Sequence, residues 1–326
     1  MRVCVFGAGA IGSHFAARLV QGGAEVSVVA RGAQLAAIRA DGIRLEAADG
    51  VFEARVTASD RPAELGPQDA VLVAVKAPSL PSVAAAIGPL LGPGTPVAFL
   101  MNGIPWWYFY AHGGAVDGRR LPLVDPDDAL WRAIGPERAI GGVVYSACTV
   151  LRPGVVHVEN ARSRLILGEP DGTLSARAEA LAAHLRGPGV AVEVSERIRD
   201  EIWSKLLLNL TSIPFSVLTL AAPRALYTEP AVAAASERII DEAVAVAEAL
   251  GCRPRHDAEA LVGQYLKMAH KPSMLQDLEL GRSMEIDALL EAPLALARLV
   301  DRPTPLLDLL VALVKVRARV AGLYPG

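Results

Sequence analysis

The sequence predicts two halves of different class: an α/β half built on a doubly wound parallel sheet with antiparallel additions, then an all-helical half. Three observations carry that expectation. Up to Leu100, short Val/Ala/Ile-rich runs alternate with Ala-rich amphipathic segments, the β-α-β-α order of a parallel sheet covered by helices. From Ile140 to Val194 strand-like runs follow one another with one short helix among them, which suits antiparallel strands added at a sheet edge. After about Ser195 the strand signals stop and long helical stretches take over.

Taken in order, VCVFGA reads as a strand, Ile11–Gln21 as a helix, EVSVVA as a strand and Gln34–Asp41 as a helix. A polar strand pair lies around Ile43–Val56, then a strand at Ala70–Val75, a helix at Leu80–Leu91 and a strand at Pro96–Leu100. VVYSACTV, VVHVEN and RLILGE are further strands, followed by a helix at Ala176–Leu185 and the strand AVEVS. The helical half comprises Ile198–Leu208, Glu229–Leu250, Ala258–Ala269, Leu275–Leu290 and Pro305–Val320. A length of 326 residues suits two domains, at roughly 100–200 residues each, placed at residues 1–195 and 196–326.

Hydrophobic residues make up 52% of the chain and charged residues 21%, below the usual charged fraction of about 25%, which excludes an intrinsically disordered chain. Lys plus Arg number 32 and Asp plus Glu 35. With no basic block, nucleic acid is not an expected partner. Three distant cysteines, Cys4, Cys148 and Cys252, offer neither a CxxC pair nor metal-ligand spacing, so no metal is expected and a reducing cytoplasmic setting fits. The run after Met1 shows no export signal. Ala77–Val116 and Leu206–Pro223 lack charge but carry prolines and, in the second, Asn209. They read as buried structure and not as membrane spans.

Gly7-Ala8-Gly9-Ala10-Ile11-Gly12 matches GxGxxG between a strand and a helix. Gly7 permits the tight turn, Gly9 lets backbone approach a pyrophosphate, and Gly12 lets helix and strand pack closely. The helix N-terminus offers N–H groups and a positive dipole end to phosphates. An Asp or Glu ending the second strand would bind the ribose hydroxyl of NAD; here Arg31 stands instead, suited to the 2′-phosphate of NADP, or else a solvated loop arginine. Lys76, after the strand AVLVAV, lies either near the adenosine phosphates or on the surface.

Asn102-Gly103 follows a strand, where Asn can hydrogen-bond a ribose or substrate, or where the pair simply makes a turn. Lys205 and Asn209, four apart in EIWSKLLLN, project from one helix face. The lysine either snorkels to solvent or is desolvated and suited to proton transfer. Ser273 reads as a helix N-cap or a ligand contact, and a single helix would show it and Glu285 to one cleft. Asp277, Glu279, Arg282 and Asp287 read as a solvated face.

GAGAIG, Asn102-Gly103 after a strand, the K-x-x-x-N helix and the segment from Ser273-Met-Leu-Gln-Asp to Glu285-Ile-Asp287 together resemble the ketopantoate reductase (2-dehydropantoate 2-reductase) family, in order and over nearly the whole chain. The resemblance implies an N-terminal Rossmann domain binding NADP(H), a helical domain for substrate, catalysis and dimerisation, and a cleft between them. It implies NADPH-dependent reduction of a 2-oxo acid, 2-dehydropantoate to pantoate or a close analogue, as in pantothenate biosynthesis. It makes Lys205 the general acid, Glu285 its partner, Asn102 a contact to cofactor and substrate, and Asn209 and Ser273 substrate ligands. An ammonium can stabilise and protonate the oxygen of a ketone that receives hydride, and Glu285 would raise its pKa against the effect of burial.

Three departures bear on the substrate. Ile213 stands where the family commonly carries a second Asn, a further family Asn falls near Pro223, and Glu291-Ala292 replaces an Asn-Gly. The run Trp106-Trp107-Tyr108-Phe109-Tyr110 either packs an insertion reaching about Pro136 or walls a site for a bulkier substrate. Alternatives to the leading reading are therefore a reductase of a bulkier, more apolar keto acid on the same fold, and a catalytically silent NADP-binding protein, which would need none of Lys205, Asn209, Ser273 and Glu285. The stretch PTPLLDLLVALVKVRARVAGL suits packing in the helical domain or against a second copy, and a homodimer is expected.

Overall fold

The structure, a computed structural model, describes residues 1–325; Gly326, the last residue of the expected second domain, lies outside the described residues. Two compact units divide the chain, one of Met1–Met101 with Pro105–Ile198, the other of Asn102–Ile104 with the chain from Arg199 onward.

The first unit runs β1 (Arg2–Phe6), α1 (Ala10–Gln21), β2 (Glu25–Val29), α2 (Gly32–Asp41), β3 (Ile43–Ala47), β4 (Gly50–Ala54), β5 (Thr57–Ser59), β6 (Ala70–Val73), α3 (Leu80–Ala86) and β7 (Val97–Leu100). It continues through α4 (Ala129–Ala133), β8 (Ala139–Tyr145), β9 (Cys148–Arg152), β10 (Val155–Val158), β11 (Ser163–Gly168), α5 (Ala176–Leu185) and β12 (Val190–Val194). The main sheet has eight strands in the order β12-β11-β8-β7-β6-β1-β2-β5. All four residues of β6 and of β7 are buried, as strands covered on both faces must be. β1 pairs in parallel with β2 on one side and β6 on the other, so the winding reverses at β1. That reversal opens a crevice beyond the strand ends, where open α/β sheets bind ligands.

The antiparallel additions differ in part from the expectation. β11 does join β8 antiparallel at the sheet edge, with β12 parallel beyond it. The polar pair β3 and β4 instead forms a separate four-stranded sheet with β10 and β9, ordered β4-β3-β10-β9. In β3, Ile43 and Leu45 are buried while the residues between and after them are half-buried. Such alternation suits a sheet with one covered face, here packed on α1, and not a strand inside the main sheet.

The aromatic run packs an insertion. Trp106, Trp107, Tyr108 and Phe109 are each at most 1% exposed, and Trp106 meets Phe99 and Trp131 edge-on at ring separations of 5.6 and 5.9 Å. A Cβ on Gly141 of β8 would lie 2.8 Å from Trp107, so glycine there makes room for the indole.

In the second unit α6 runs Ile198–Thr219, well past the expected Leu208, followed by α7 (Pro223–Leu226), α8 (Pro230–Ala249), α9 (Ala258–Tyr265), α10 (Ser273–Glu279), a π-helical turn at Asp287–Glu291, α11 (Ala292–Leu299) and α12 (Pro305–Val320). α6 passes through Pro214, which lacks an N–H and ordinarily breaks a helix. Hydroxyls serve the carbonyls upstream: Tyr227 donates to the Thr211 carbonyl at 2.9 Å and Ser212 to that of Leu208 at 2.7 Å. A single helix over Leu275–Leu290 does not form. Gly281, at φ 64, ends α10 in a left-handed cap, with Arg282 N–H donating to the Asp277 carbonyl at 2.8 Å. Among the described residues no helix is long and apolar enough to cross a membrane.

His14 on α1 is fully buried, and its Nε2 accepts from Arg18 Nε at 3.5 Å. Burial, reinforced by the Arg18 charge, lowers its pKa from 6.5 to about 3. Its neutral form is the folded form, so stability is complete above pH 6.5 and is lost progressively as pH falls from 6.5 towards 3. Urea unfolding across that range should show a shallower pH dependence in His14→Gln than in the parent; identical slopes would exclude His14 as a source.

Candidate active site

The glycine-rich loop joins β1 to α1 at the switch point. Gly7 has φ +104, and a Cβ on it would come within 2.6 Å of Val75 Cγ1. A Cβ on Gly12 would lie 1.8 Å from the Gly7 carbonyl oxygen, so helix and loop touch backbone to backbone. Gly9 has no heavy atom within 4 Å of where its Cβ would be, and it is the N-cap of α1. Gly9 thus leaves room at the N-terminus of α1, as an anion site requires.

That space is a cavity of about 300 Å³ lined by Gly7, Ala8, Gly9, Arg31, Gln34, Ser79 and Ser82 among others, with no carboxylate in its lining. Arg31 follows β2 as the exposed N-cap of α2. Ala10, Ile11 and Gly12 form the first turn of α1 behind the loop. Lys76 is half-buried next to Val75 of the lining and is not itself part of it. Ser79 and Ser82 gave no signal in the sequence beyond following a strand. The cradle fits a dinucleotide: a free helix N-terminus, a glycine where backbone approaches phosphate, and a guanidinium where NAD-selective sites place an acid.

Five other predicted residues belong to the second unit: Asn102, Lys205, Asn209, Ser273 and Glu285. Lys205 and Asn209 sit one turn apart on α6, both half-buried, between the buried Leu206, Leu207 and Leu210. Burial lowers the Lys205 pKa from 10.5 to about 8. The Asn209 Nδ2 is buried with no hydrogen-bond partner, which is costly unless a ligand accepts from it. The start of α6 is fixed by Ser204, whose Oγ donates to the Asp200 carbonyl and accepts from Arg255 N–H at 2.8 Å. Asp200 also accepts from Arg253 N–H at 2.9 Å.

Asn102 leaves β7 and groups with this unit. Ile104 N–H donates to the Ala288 carbonyl at 2.9 Å, inside the π-helical turn. Gly103 has φ +85, and a Cβ there would be 2.3 Å from that same oxygen. Glu285 is buried two residues ahead of the turn. That contact joins the segment after Asn102 to the turn that follows Glu285. π-turns often mark functional sites.

Three expectations for the 273–287 segment are corrected. Ser273 is exposed as the first residue of α10 and makes no cap bond; Pro272 is the N-cap. Ser273 and Glu285 do not share a helix, because α10 stops at Glu279. Asp277 is buried, and Asp287 is half-buried and accepts from Tyr324 Oη at 2.5 Å, so neither belongs to a solvated face.

The family model described as ketopantoate reductase PanE/ApbA matches residues 3–172, and its C-terminal counterpart matches residues 197–318. A 2-dehydropantoate 2-reductase of Mesorhizobium japonicum is 45% identical over 99% of this chain and 100% of its own. A Ralstonia solanacearum MolK2 protein, solved as a candidate ketopantoate reductase, superposes with a TM-score of 0.91 at 41% identity, over 99% of both chains. The Geobacter metallireducens 2-dehydropantoate 2-reductase structure gives 0.85 at 28% identity, over 97% of this chain and 99% of its own. With the glycine loop and the Lys205 helix each falling within a matched stretch, the chain belongs to the ketopantoate reductase family of oxidoreductases.

Proposed function

We propose that the chain reduces a 2-oxo acid, 2-dehydropantoate or a close analogue, using NADPH, with Lys205 as general acid. The observation that carries this reading is a half-buried ammonium whose pKa stands at about 8, one helical turn from an Asn209 amide without a protein acceptor. A lysine of that pKa is largely protonated near neutral pH yet releases its proton readily. When bound, the nicotinamide cofactor common to the family supplies a hydride to the ketone carbon. As the carbonyl electron pair moves to oxygen, Lys205 Nζ stabilises the growing charge and gives it a proton, leaving a 2-hydroxy acid and a neutral amine that is reprotonated from water. Asn209 donates to the substrate, Asn102 and Ser273 supply further polar contacts, and Glu285 positions the ammonium.

NADP is favoured over NAD because Arg31 stands where the ribose is read and no carboxylate lines the cavity. Lys76 supplies positive charge near the phosphates. The silent-binder alternative leaves the desolvated Lys205 without a purpose, and the bulky-substrate alternative loses one support because Trp106–Phe109 are interior to the first unit. Three cysteines that form no disulfide among the described residues suit the cytoplasm. On α12, Leu309, Leu313, Val316 and Val320 form an exposed apolar stripe at helical spacing, which supports a homodimer through the helical unit.

Purified protein should oxidise NADPH with 2-dehydropantoate in a panel of branched, hydroxylated and aromatic 2-oxo acids; activity confined to aromatic acids would overturn the substrate. Turnover should decline as pH rises through about 8, where Lys205 loses its proton. Lys205→Ala should lower kcat about a hundredfold or more and abolish that decline; full activity in the variant would remove the assignment. Arg31→Ala should raise KM for NADPH about tenfold while sparing that for NADH, and equal rises would refute a 2′-phosphate contact. Light scattering should give the mass of two chains, and a one-chain mass would refute the dimer.

A further inference from the structure

Gln34, in the first turn and a half of α2, lines the nucleotide cavity, yet its hydrogen bonds end on protein atoms. Its Nε2 donates to the Ala8 carbonyl at 2.8 Å and to Ser13 Oγ at 3.3 Å. Its Oε1 accepts from Gly154 N–H at 3.1 Å. Ser13 Oγ donates to the same Ala8 carbonyl at 3.1 Å. The carbonyl between Gly7 and Gly9 is thus held by two donors on the protein side of the loop. Gly154 occupies the turn between β9 and β10, and its own carbonyl accepts from Arg44 N–H of β3 at 2.8 Å. The turn approaches α2 closely: a Cβ on Gly154, which has φ +79, would be 3.3 Å from Ala37 Cβ.

We infer that Gln34 is a positioning residue for the nucleotide phosphates, acting through Ala8: it braces the glycine-rich loop against the second sheet. The physical need is plain. An anion at the N-terminus of α1 is bound by N–H groups, and a carbonyl swinging into that path would present a partial negative charge to a phosphate. Two donors on the Ala8 oxygen oppose that swing. Gln34 meets the requirement because a primary amide donates to the loop with one end and accepts from the turn with the other. Glutamate at this position has no hydrogen to give, so its carboxylate would face the Ala8 oxygen acceptor to acceptor and add charge beside the phosphates. Methionine has nearly the same length and neither bond.

The inference rests on the nucleotide-site reading, and direct NADPH binding separates the two. Calorimetric titration of the wild-type chain with NADPH tests the site itself; absence of binding there overturns the site reading and the Gln34 role with it. Given wild-type binding, Gln34→Met should raise Kd for NADPH about tenfold and Gln34→Glu about a hundredfold. At saturating NADPH both variants should keep kcat within about threefold of wild type, because the brace bears on phosphate binding and not on proton transfer. Wild-type Kd values in both variants would overturn the role. A fall in kcat matching the rise in Kd would also overturn it, showing a general loss of structure. Ser13→Ala, which removes the second donor and leaves Gln34 in place, should raise Kd by a smaller factor than Gln34→Met; a larger rise would assign the brace to Ser13 instead.

Discussion

α1 is trapped at both ends by glycines that bring backbone against backbone, and the nucleotide half of the protein depends on that seat. At its start a Cβ on Gly12 would lie 1.8 Å from the Gly7 oxygen; at its end a Cβ on Gly22 would lie 1.8 Å from the His184 oxygen in α5. Between them Arg18 forks onto Asp49 with bonds of 2.6 and 2.7 Å, tying the helix to the β3–β4 turn. Its other side packs on the second sheet. A helix held so closely has a fixed N-terminus, and its N-cap Gly9 lines the cavity. Fixed dipoles of this kind need no reorganisation when an anion arrives.

The second unit places a cation where burial disfavours it. Desolvation moves Lys205 to about 8, a cost in folding that the proton transfer proposed for it would explain. Such a group is effective only if its backbone is stiff. α6 stays continuous through Pro214, with hydroxyls of Tyr227, Tyr265 and Ser212 bonded to the nearby Thr211 and Leu208 carbonyls. Lys205 and Asn209 consequently share one rigid face.

The glycine loop was legible in the sequence because its spacing falls within six residues between a strand and a helix, even though the close neighbour of Gly7, Val75, lies far along the chain. Lys205 and Asn209 were legible because i, i+4 spacing needs only a helix, and EIWSKLLLN makes one. What escaped depended on contacts distant in sequence. Gln34 reads as an ordinary helix residue until Gly154 is brought beside it, and Ser79 and Ser82 matter only through the cavity they line. Polar character misled over Asp277 and Asp287: the first is buried, and the second, half-buried, accepts a hydrogen bond from Tyr324 near the C-terminus. The helix expected over Leu275–Leu290 overlooked Gly281, whose left-handed φ of 64 ends α10 and frees the chain to reach Glu285 by another path. The polar strand pair was recognised, but its sheet was not, because pairing β3 with β10 joins segments far apart in the chain.

On the function proposed, substrate choice turns on α6 more than on the aromatic run. Trp106 through Phe109 are consumed in packing the first unit and leave no wall to offer. Ile213 is 1% exposed and core-packed, so the hydrogen bond that an Asn would give there is absent, while the Asn209 Nδ2 still awaits an acceptor. Those two facts pull in unequal directions. An apolar surface rejects an added hydroxyl only weakly, by about a hundredfold, whereas a buried donor left unpaired rejects a ligand lacking the acceptor far more strongly. On the function proposed, retention of Asn209 therefore weighs more in substrate choice than the loss at Ile213. A hydroxylated keto acid such as 2-dehydropantoate would satisfy that proposed contact.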